Sequence, residues 1–193
     1  MNDLIQNNTS DTKEWDNIID EEIQECNEKI NEQKYDIIKN ISISQLQELY
    51  KDDFEKVFNE NLLYGINQYR KENWLNELNL NEDINNSAKI FASYCSRNNQ
   101  ISHKHLYYTT PLERLQKTVS NIDKDISAIW ENVFWWQDDY CILDIIDWRK
   151  KSSWHNYILL EPNSTDVWFW YYCDEKTNLK ITVLQSAKKR KIN

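Results

Sequence analysis

Three residues of this 193-residue chain have side chains suited to a shared polar site: His103, Glu131 and His155. The sequence has three histidines in all, and two of them lie in separate segments with a Glu–Asn pair between them. Two neutral imidazoles that face one cavity can bind zinc or a similar divalent ion. A neighbouring carboxylate can orient a histidine or accept a proton from metal-bound water. His103, Glu131, Asn132 and His155 are therefore the candidates for a polar network, if the fold brings their distant segments into one cleft.

Metal binding and a structural role are both open for this network. A tight catalytic zinc usually has three protein ligands, and only His103 and His155 are offered, so we expect Zn²⁺ or another divalent cation to bind weakly. His105 is close in sequence to His103, but such a neighbour more often faces solvent than completes a metal site. In the structural alternative, the same side chains form buried hydrogen bonds that tie helices to a sheet. Glu131 is the candidate catalytic residue, and no other cofactor is expected.

Amphipathic patterns place these residues among helices and strands. Apolar residues that recur every three or four positions predict helices, and shorter aromatic and β-branched runs predict strands. Helices before and between strands indicate an α+β fold. The predicted helices cover residues 15–39, 82–97, 111–117 and 138–150, and a further helix begins near Asp52 and carries an apolar stripe as far as Tyr69. The predicted strands cover residues 125–129, 167–173 and 179–185.

The first predicted helix, residues 15–39, carries a heptad pattern that follows a polar segment, residues 1–14, predicted to be disordered. Its apolar residues recur with alternating steps of four and three, which is the spacing of a coiled-coil seam. Three heptads are marginal alone, so the helix either self-associates as a short stalk or docks on the domain. The seam residues are Ile19, Ile23, Cys26, Ile30, Gln33 and Ile37.

Composition excludes some function classes. The net charge of −9 argues against nucleic-acid binding, which needs clustered lysine and arginine. No apolar run approaches the ~18 residues of a membrane span, and no signal peptide is visible in this chain. Residues 188–193 are predicted to form a basic tail. The four cysteines are irregularly spaced and form no metal motif. Cys141 and Cys173 can pair if the protein is exported, and reduced thiols are the alternative.

Six short segments, in order between about Phe54 and Gln185, resemble the CAP superfamily of cysteine-rich secretory, antigen-5 and pathogenesis-related proteins, and above all its short bacterial branch. The resemblance implies an α-β-α sandwich, the SCP domain, over residues 52–187, preceded by a helical extension over residues 15–50. The segments that carry it are Ile66–Leu75, Leu80–Ile84, Ile101–His103, Pro111–Leu115, Trp130–Val133 and Ser152–Leu159.

The same resemblance implies a site in which two histidines and two glutamates converge. His103, Glu131 and His155 match three of its positions. The fourth, three residues after Trp148, is Lys151 in this chain. The implied tetrad is therefore incomplete.

Asp144 or Asp147 could replace the missing acid from the preceding turn. The resemblance implies an extracellular or cell-surface protein that binds a lipid, a peptide or a cell-wall fragment. The alternative is a divalent-metal-dependent hydrolase or peptidase that uses His103, His155 and Glu131. The missing acid favours binding over hydrolysis.

Tryptophan occupies positions where the family usually has glycine: the chain has nine tryptophans and one glycine. Glycine serves where φ is positive or where two backbones approach closely, and another residue there costs roughly 1–2 kcal/mol in backbone strain. We hypothesise that the gene uses a reassigned stop codon that means glycine. Ordinary tryptophan codons are expected at 135 and 148. The affected positions are Trp74, Trp130, Trp136, Trp154, Trp168 and Trp170.

Overall fold

The computed structural model describes residues 9–97, 110–118, 126–174 and 178–189. The chain divides into two compact units, Met1–Ile37 and Ile38–Asn193. No helix among the described residues is both long and apolar enough to cross a membrane. The helices are α1 (Thr9–Ile38), α2 (Ile43–Tyr50), α3 (Phe54–Glu72), α4 (Glu82–Arg97), α5 (Pro111–Thr118), α6 (Ile142–Lys151) and α7 (Ser153–Leu159), and the strands are β1 (Asn79–Leu80), β2 (Ile126–Trp136), β3 (Asp166–Asp174) and β4 (Leu179–Lys189).

The first unit is formed by helix α1, which begins at Thr9. Residues 9–14, which the sequence predicted to be disordered, are therefore helical. Serine, threonine and aspartate are common both at helix starts and in disordered tails, so composition does not separate the two. Three isoleucines of the heptad seam are exposed, Ile23 by 54%, Ile30 by 55% and Ile37 by 70%.

The second unit starts at Ile38, before the predicted domain start at residue 52. Helix α2, predicted to belong to the extension, packs inside this unit through fully buried Ile43 and Leu46. Its first turn is held by a capping box between Ser42 and Gln45, and the Ile43 amide donates to the Tyr140 carbonyl at 2.8 Å. Ile43 and Leu46 are only two apolar residues, three positions apart, and such a short pattern does not predict a helix from sequence.

The sheet has the strand order β1-β3-β4-β2. β4 lies antiparallel to both β2 and β3, and the β3–β4 hairpin confirms the sequence prediction. β1 pairs with β3 in parallel over two residues only, Asn79 with Asp166 and Leu80 with Val167. β2 runs on to Trp136, well beyond the predicted end at residue 129.

Helices cover both faces of the sheet, so the predicted α-β-α sandwich is confirmed. On one face, Phe91 of α4 and Leu115 of α5 belong to one core with Val133, Ile181 and Val183 of the sheet. On the other face, helices α3, α6 and α7 pack together and against β2 and β3. Adjacent residues of one strand therefore point into different cores.

Candidate functional site

The position of His155 is set by a break between helices α6 and α7. Ser152 has an extended backbone, with φ −90° and ψ 120°, so α7 starts in a new direction. The imidazole of half-buried His155 lies 4.7 Å from the Trp148 ring, centroid to centroid. The Asn132 side-chain amide donates to the His155 carbonyl at 3.4 Å. His155 and Asn132 of the predicted network are thus brought together.

His155 stands at one end of an aromatic row that continues along strand β2. The Trp148 ring lies 4.3 Å from Phe134, which stacks on Trp136 at 5.0 Å. Tyr140 closes the row, 6.2 Å from Trp136. Sequence reasoning missed this row, although its signal was present: Phe134 and Trp136 are two residues apart and so share a face of the strand.

Helix α3 fixes α7 from its other side. The Tyr69 hydroxyl donates to Asn156 Oδ1 at 3.0 Å. The buried Arg70 guanidinium donates from Nη1 to the carbonyls of Leu159 at 2.7 Å and Glu161 at 3.2 Å. These bonds satisfy carbonyls at the end of α7, where helical partners run out.

Glu131 points to the opposite face of the sheet. It precedes Asn132 in β2, and adjacent strand residues face opposite ways. Its carboxylate forms a buried ion pair with Arg114 of α5 and accepts a hydrogen bond from Gln185 Nε2 at 2.7 Å. Among the described residues, the contacts of Glu131 thus lie with α5 and β4, and those of His155 with α6 and β2.

The position of the missing acid is filled by a lysine. Lys151 is exposed at the end of α6. Asp144 accepts from the Cys141 amide at 3.0 Å and so caps its own helix, while Asp147 lies 3.7 Å from Lys150. Both aspartates already have local partners, and no observation places either of them beside His155.

His103 and His105 lie outside the described residues, so the predicted two-histidine site stays a prediction. Within the ranges that the structure describes, no group of three or more histidine, cysteine, aspartate or glutamate residues could hold a metal ion.

No disulfide joins any two of Cys26, Cys95, Cys141 and Cys173, all of which are described. The Cys141 thiol donates to Asp144 Oδ2 at 3.0 Å. Burial and the Asp144 carboxylate raise the pKa of this thiol, so it is a poor nucleophile.

Arg149 is a fully buried cation on the face that carries His155. Its Nη1 donates to the Ile145 carbonyl at 3.2 Å, and its guanidinium lies 5.6 Å from the Phe134 ring centre. Nε and Nη2 have no hydrogen-bond partner within the described part of the chain. Burial lowers the pKa of Arg149 to about 9. Sequence reasoning missed this residue, since a basic residue in the last turn of a helix usually faces solvent.

Trp74 occupies a backbone position that suits glycine. Helix α3 ends in a Schellman motif, in which the Trp74 amide donates to the Lys71 carbonyl and the Leu75 amide to the Arg70 carbonyl, both at 3.0 Å. Trp74 is the residue after the C-cap and has φ 59°, the left-handed conformation that glycine most often fills. Its side chain is 96% exposed, so no packing offsets the backbone strain.

Three other tryptophans are poorly satisfied inside the domain. The indole N–H groups of Trp136, Trp168 and Trp170 are buried and have no hydrogen-bond partner among the described residues. A buried indole N–H usually finds an acceptor, and a buried donor without a hydrogen bond costs about 1–3 kcal/mol.

Trp154, next to His155, does not fill a cleft. It is 59% exposed and stacks on Tyr157 with ring centroids 5.7 Å apart. Trp130 is half-buried in β2.

Comparisons with known proteins agree with this architecture. The sequence model of the family described as Cysteine-rich secretory protein family, CAP, matches residues 63–185. The fold is similar to an outer surface protein from Borrelia burgdorferi, with 20% identity, a TM-score of 0.59 and coverage of 72% of this chain and 95% of that one. It is also similar to an extracellular protein containing a SCP domain from Bacillus anthracis, with 17% identity, a TM-score of 0.57 and coverage of 72% and 42% respectively. A search of curated protein sequences finds no match.

Proposed function

Because the chain belongs to the cysteine-rich secretory protein family, CAP, we propose that it is an extracellular ligand-binding module for a lipid, a peptide or a cell-wall fragment. The observation that carries the proposal is the engagement of Glu131, whose carboxylate is buried against Arg114 and Gln185. A general base must reach the proton that it removes, and a buried ion-paired carboxylate is poorly placed for that work. The extracellular location is supported by two structural relatives named as outer-surface and extracellular proteins.

The binding surface that we propose is the end of the aromatic row at His155. An imidazole that lies 4.7 Å from Trp148 offers a polar group beside an apolar ring. Ligand sites commonly combine apolar walls with a few placed polar groups. Tyr69 and Arg70 hold α7 firmly, so the surface is preorganised.

Intrinsic tryptophan fluorescence tests this proposal, because Trp148, one of the nine tryptophans that contribute to it, lies beside His155. Palmitate, a tripeptide and a muropeptide are titrated into the wild-type protein, His155→Ala and the exposed control Ser153→Ala on the same helix. We expect saturable quenching by one probe, weakened about tenfold in His155→Ala, the effect of losing one good polar contact. Equal binding by His155→Ala and Ser153→Ala would place the ligand elsewhere.

The metal-dependent hydrolase is the alternative function. Calorimetric titration with ZnCl₂, followed by peptidase and esterase assays, separates it from binding. We expect at most weak zinc binding that is lost in His155→Ala, and no hydrolysis. Zinc-dependent hydrolysis that requires both His155 and Glu131 would replace the binding proposal.

We also propose that glycine occupies position 74 and the five related positions in the native protein. Support comes from the left-handed backbone of exposed Trp74 and from the buried indole N–H groups of Trp136, Trp168 and Trp170. Peptide mass spectrometry of protein from its native host reads these residues directly, and glycine is expected at each. Ordinary tryptophan codons at all six positions in the gene would refute the idea.

We further propose that α1 pairs with the α1 helix of a second copy. The exposed Ile23, Ile30 and Ile37 are seven residues apart and occupy one heptad position, where β-branched side chains favour two-stranded coiled coils. Sedimentation equilibrium should show a dimer that Ile30→Asn converts to monomer. A wild-type monomer at high protein concentration would argue against pairing.

A further inference from the structure

Strand β3 has an outer edge that is paired for only a short distance. β1 covers it at Asp166 and Val167, and no strand among the described residues pairs with that side beyond Val167. The Asn81 amide donates to the Val167 carbonyl at 3.1 Å, so the main chain of Val167 faces this edge. Every second residue of a strand directs its main-chain N–H and C=O groups to the same edge of the strand. The N–H and C=O groups of Tyr171 and Cys173 therefore point to the same outer edge as those of Val167.

A groove of about 430 Å³ runs along this part of the edge. Its walls include Phe54 and Phe58 of α3 and four consecutive residues of β3, from Trp170 to Cys173. Four consecutive strand residues can line one groove only if the groove follows the strand edge, because their side chains alternate between the two faces. Unpaired main-chain groups and an aromatic wall therefore lie side by side.

The aromatic wall of the groove consists of Phe54, Phe58 and Tyr171, and the contacts among these three rings do not involve position 170. The Phe54 ring meets the Tyr171 ring edge-on at 5.3 Å, and Phe58 lies 5.8 Å from Tyr171. The Tyr171 hydroxyl donates to Gln47 Oε1 at 3.4 Å. A glycine at position 170 would widen the groove and leave the wall and the main-chain edge in place.

The groove carries an acidic residue on its rim. Glu55 lines it, and desolvation raises the pKa of this carboxylate in spite of Lys89 nearby. Glu82 also acts on Glu55 and raises its pKa further. Lys89 itself lies over the Trp170 ring, with Nζ 4.8 Å from the ring centre. A partner with a positive charge suits this rim and the chain's net charge of −9.

We propose that the groove binds an extended, basic peptide segment of another protein, which adds a strand to the β3 edge. Peptides bind open sheet edges through main-chain hydrogen bonds, while pockets take alternate side chains. Here Tyr171 and Cys173 would supply the main-chain bonds, the Phe54–Phe58–Tyr171 wall would take an apolar side chain, and Glu55 would face a lysine or arginine. Exposed edges are otherwise covered or blunted in most proteins.

The test uses fluorescein-labelled nine-residue peptides with valine at every second position and lysine, serine or glutamate at the others. We expect the lysine series to bind, and to bind about tenfold more tightly than the glutamate series, as opposite charges at a partly desolvated rim would give. Glu55→Gln should remove this preference, whereas Glu72→Gln, at the far end of the same helix, should keep it.

The role of the strand edge is tested by Cys173→Pro against Cys173→Ala. Proline removes the outward N–H, which edge strands tolerate, and also restricts the backbone at positions 172 and 173. Binding should fall about tenfold in Cys173→Pro and persist in Cys173→Ala. If Cys173→Pro fails to fold, hydrogen exchange on the wild type decides, since the lysine peptides should protect the Tyr171 and Cys173 amides.

Three outcomes would overturn the proposal: no binding by any series, binding that leaves the exchange of both amides unchanged, or no loss of binding in a folded Cys173→Pro protein. A dimer that Cys173→Pro dissociates, with no peptide bound, would assign the edge to a second copy of the chain instead.

Discussion

Both faces of the sheet bury arginine completely, and the charges of Arg114 and Arg149 are compensated differently. Arg114, on the face of α4 and α5, pairs with the buried carboxylate of Glu131 and lies 4.0 Å from the Phe91 ring centre. Arg149, on the face of α6 and α7, has the Ile145 carbonyl and the Phe134 ring, with no carboxylate among the described residues. A buried carboxylate therefore neutralises Arg114, and none of the described residues does so for Arg149.

The difference between the two arginines bears on the stability of the protein. A buried charge without a partner costs several kcal/mol, whereas a paired charge costs far less. Burial lowers the pKa of both arginines, but an opposing effect of Glu131 is present only for Arg114. On the α4–α5 face the buried cation has a carboxylate partner, whereas the α6–α7 face, which carries His155, buries Arg149 without one among the described residues.

Breaking the satisfied pair should have the largest effect. Glu131→Gln leaves the Arg114 charge buried without its carboxylate, so the free energy of unfolding should fall by about 3–5 kcal/mol. Urea denaturation followed by far-ultraviolet circular dichroism measures this. The control is Glu113→Gln, a half-buried neighbour of Arg114 on the same helix. A loss below about 1 kcal/mol, the range of exposed ion pairs, would show that Glu131 does not hold the Arg114 charge.

Removing the unsatisfied arginine should have the opposite sign. Arg149→Met keeps an unbranched apolar stem and removes the buried guanidinium charge, so the protein should gain about 1–4 kcal/mol, as in replacements of other buried charges. Lys151→Met, exposed on the same helix, should change little.

The pH dependence of this gain follows from the direction of the pKa shift. The folded pKa of Arg149 is lowered to about 9, so above that pH the unfolded state binds more protons and the wild type gains stability as pH rises. The advantage of Arg149→Met should be full below pH 9 and shrink above it. A constant advantage between pH 7 and 10.5 would mean that Arg149 keeps its proton.

Removing both charges of the Arg114–Glu131 pair should have the smallest effect. In Arg114→Met with Glu131→Gln, neither charge is left alone, and the side chain at 131 can still bond Gln185. Stability should lie within about 1 kcal/mol of the wild type, well above the sum of the single variants. Additive losses in a double-mutant cycle would contradict coupling between the two residues.

Much of this fold follows from local sequence signals. The predicted limits of helix α4, residues 82–97, agree with the structure, and helix α5 and the β3–β4 hairpin lie where their patterns predicted them. Strand β2 was predicted too short because Val133–Trp136 is apolar throughout. A continuous apolar run lacks the alternation that marks strands in a sequence, even though Trp135 is exposed in the structure.

The site was harder to predict, because its geometry depends on contacts between distant segments. Glu131 and Asn132 are neighbours in sequence and were placed in one network, yet they face different cores. Arg114, the partner of Glu131, can be read in the sequence, but no local sequence pattern links the two residues. Arg149 has the position of a solvated helix end, and only the tertiary packing reveals that it is buried.

The Schellman motif at the end of α3 has a consequence for producing the protein. Trp74 is the first of the six positions at which we propose a reassigned stop codon. A host that reads this codon as stop would release a fragment that ends at Asn73, with α1, α2 and α3 but none of the four strands. Leu62 and Ile66, fully buried in the domain, would then have no sheet to pack on. If position 74 is encoded by a reassigned stop codon, the native gene should give an insoluble short product in such a host. A recoded gene should give the full-length protein.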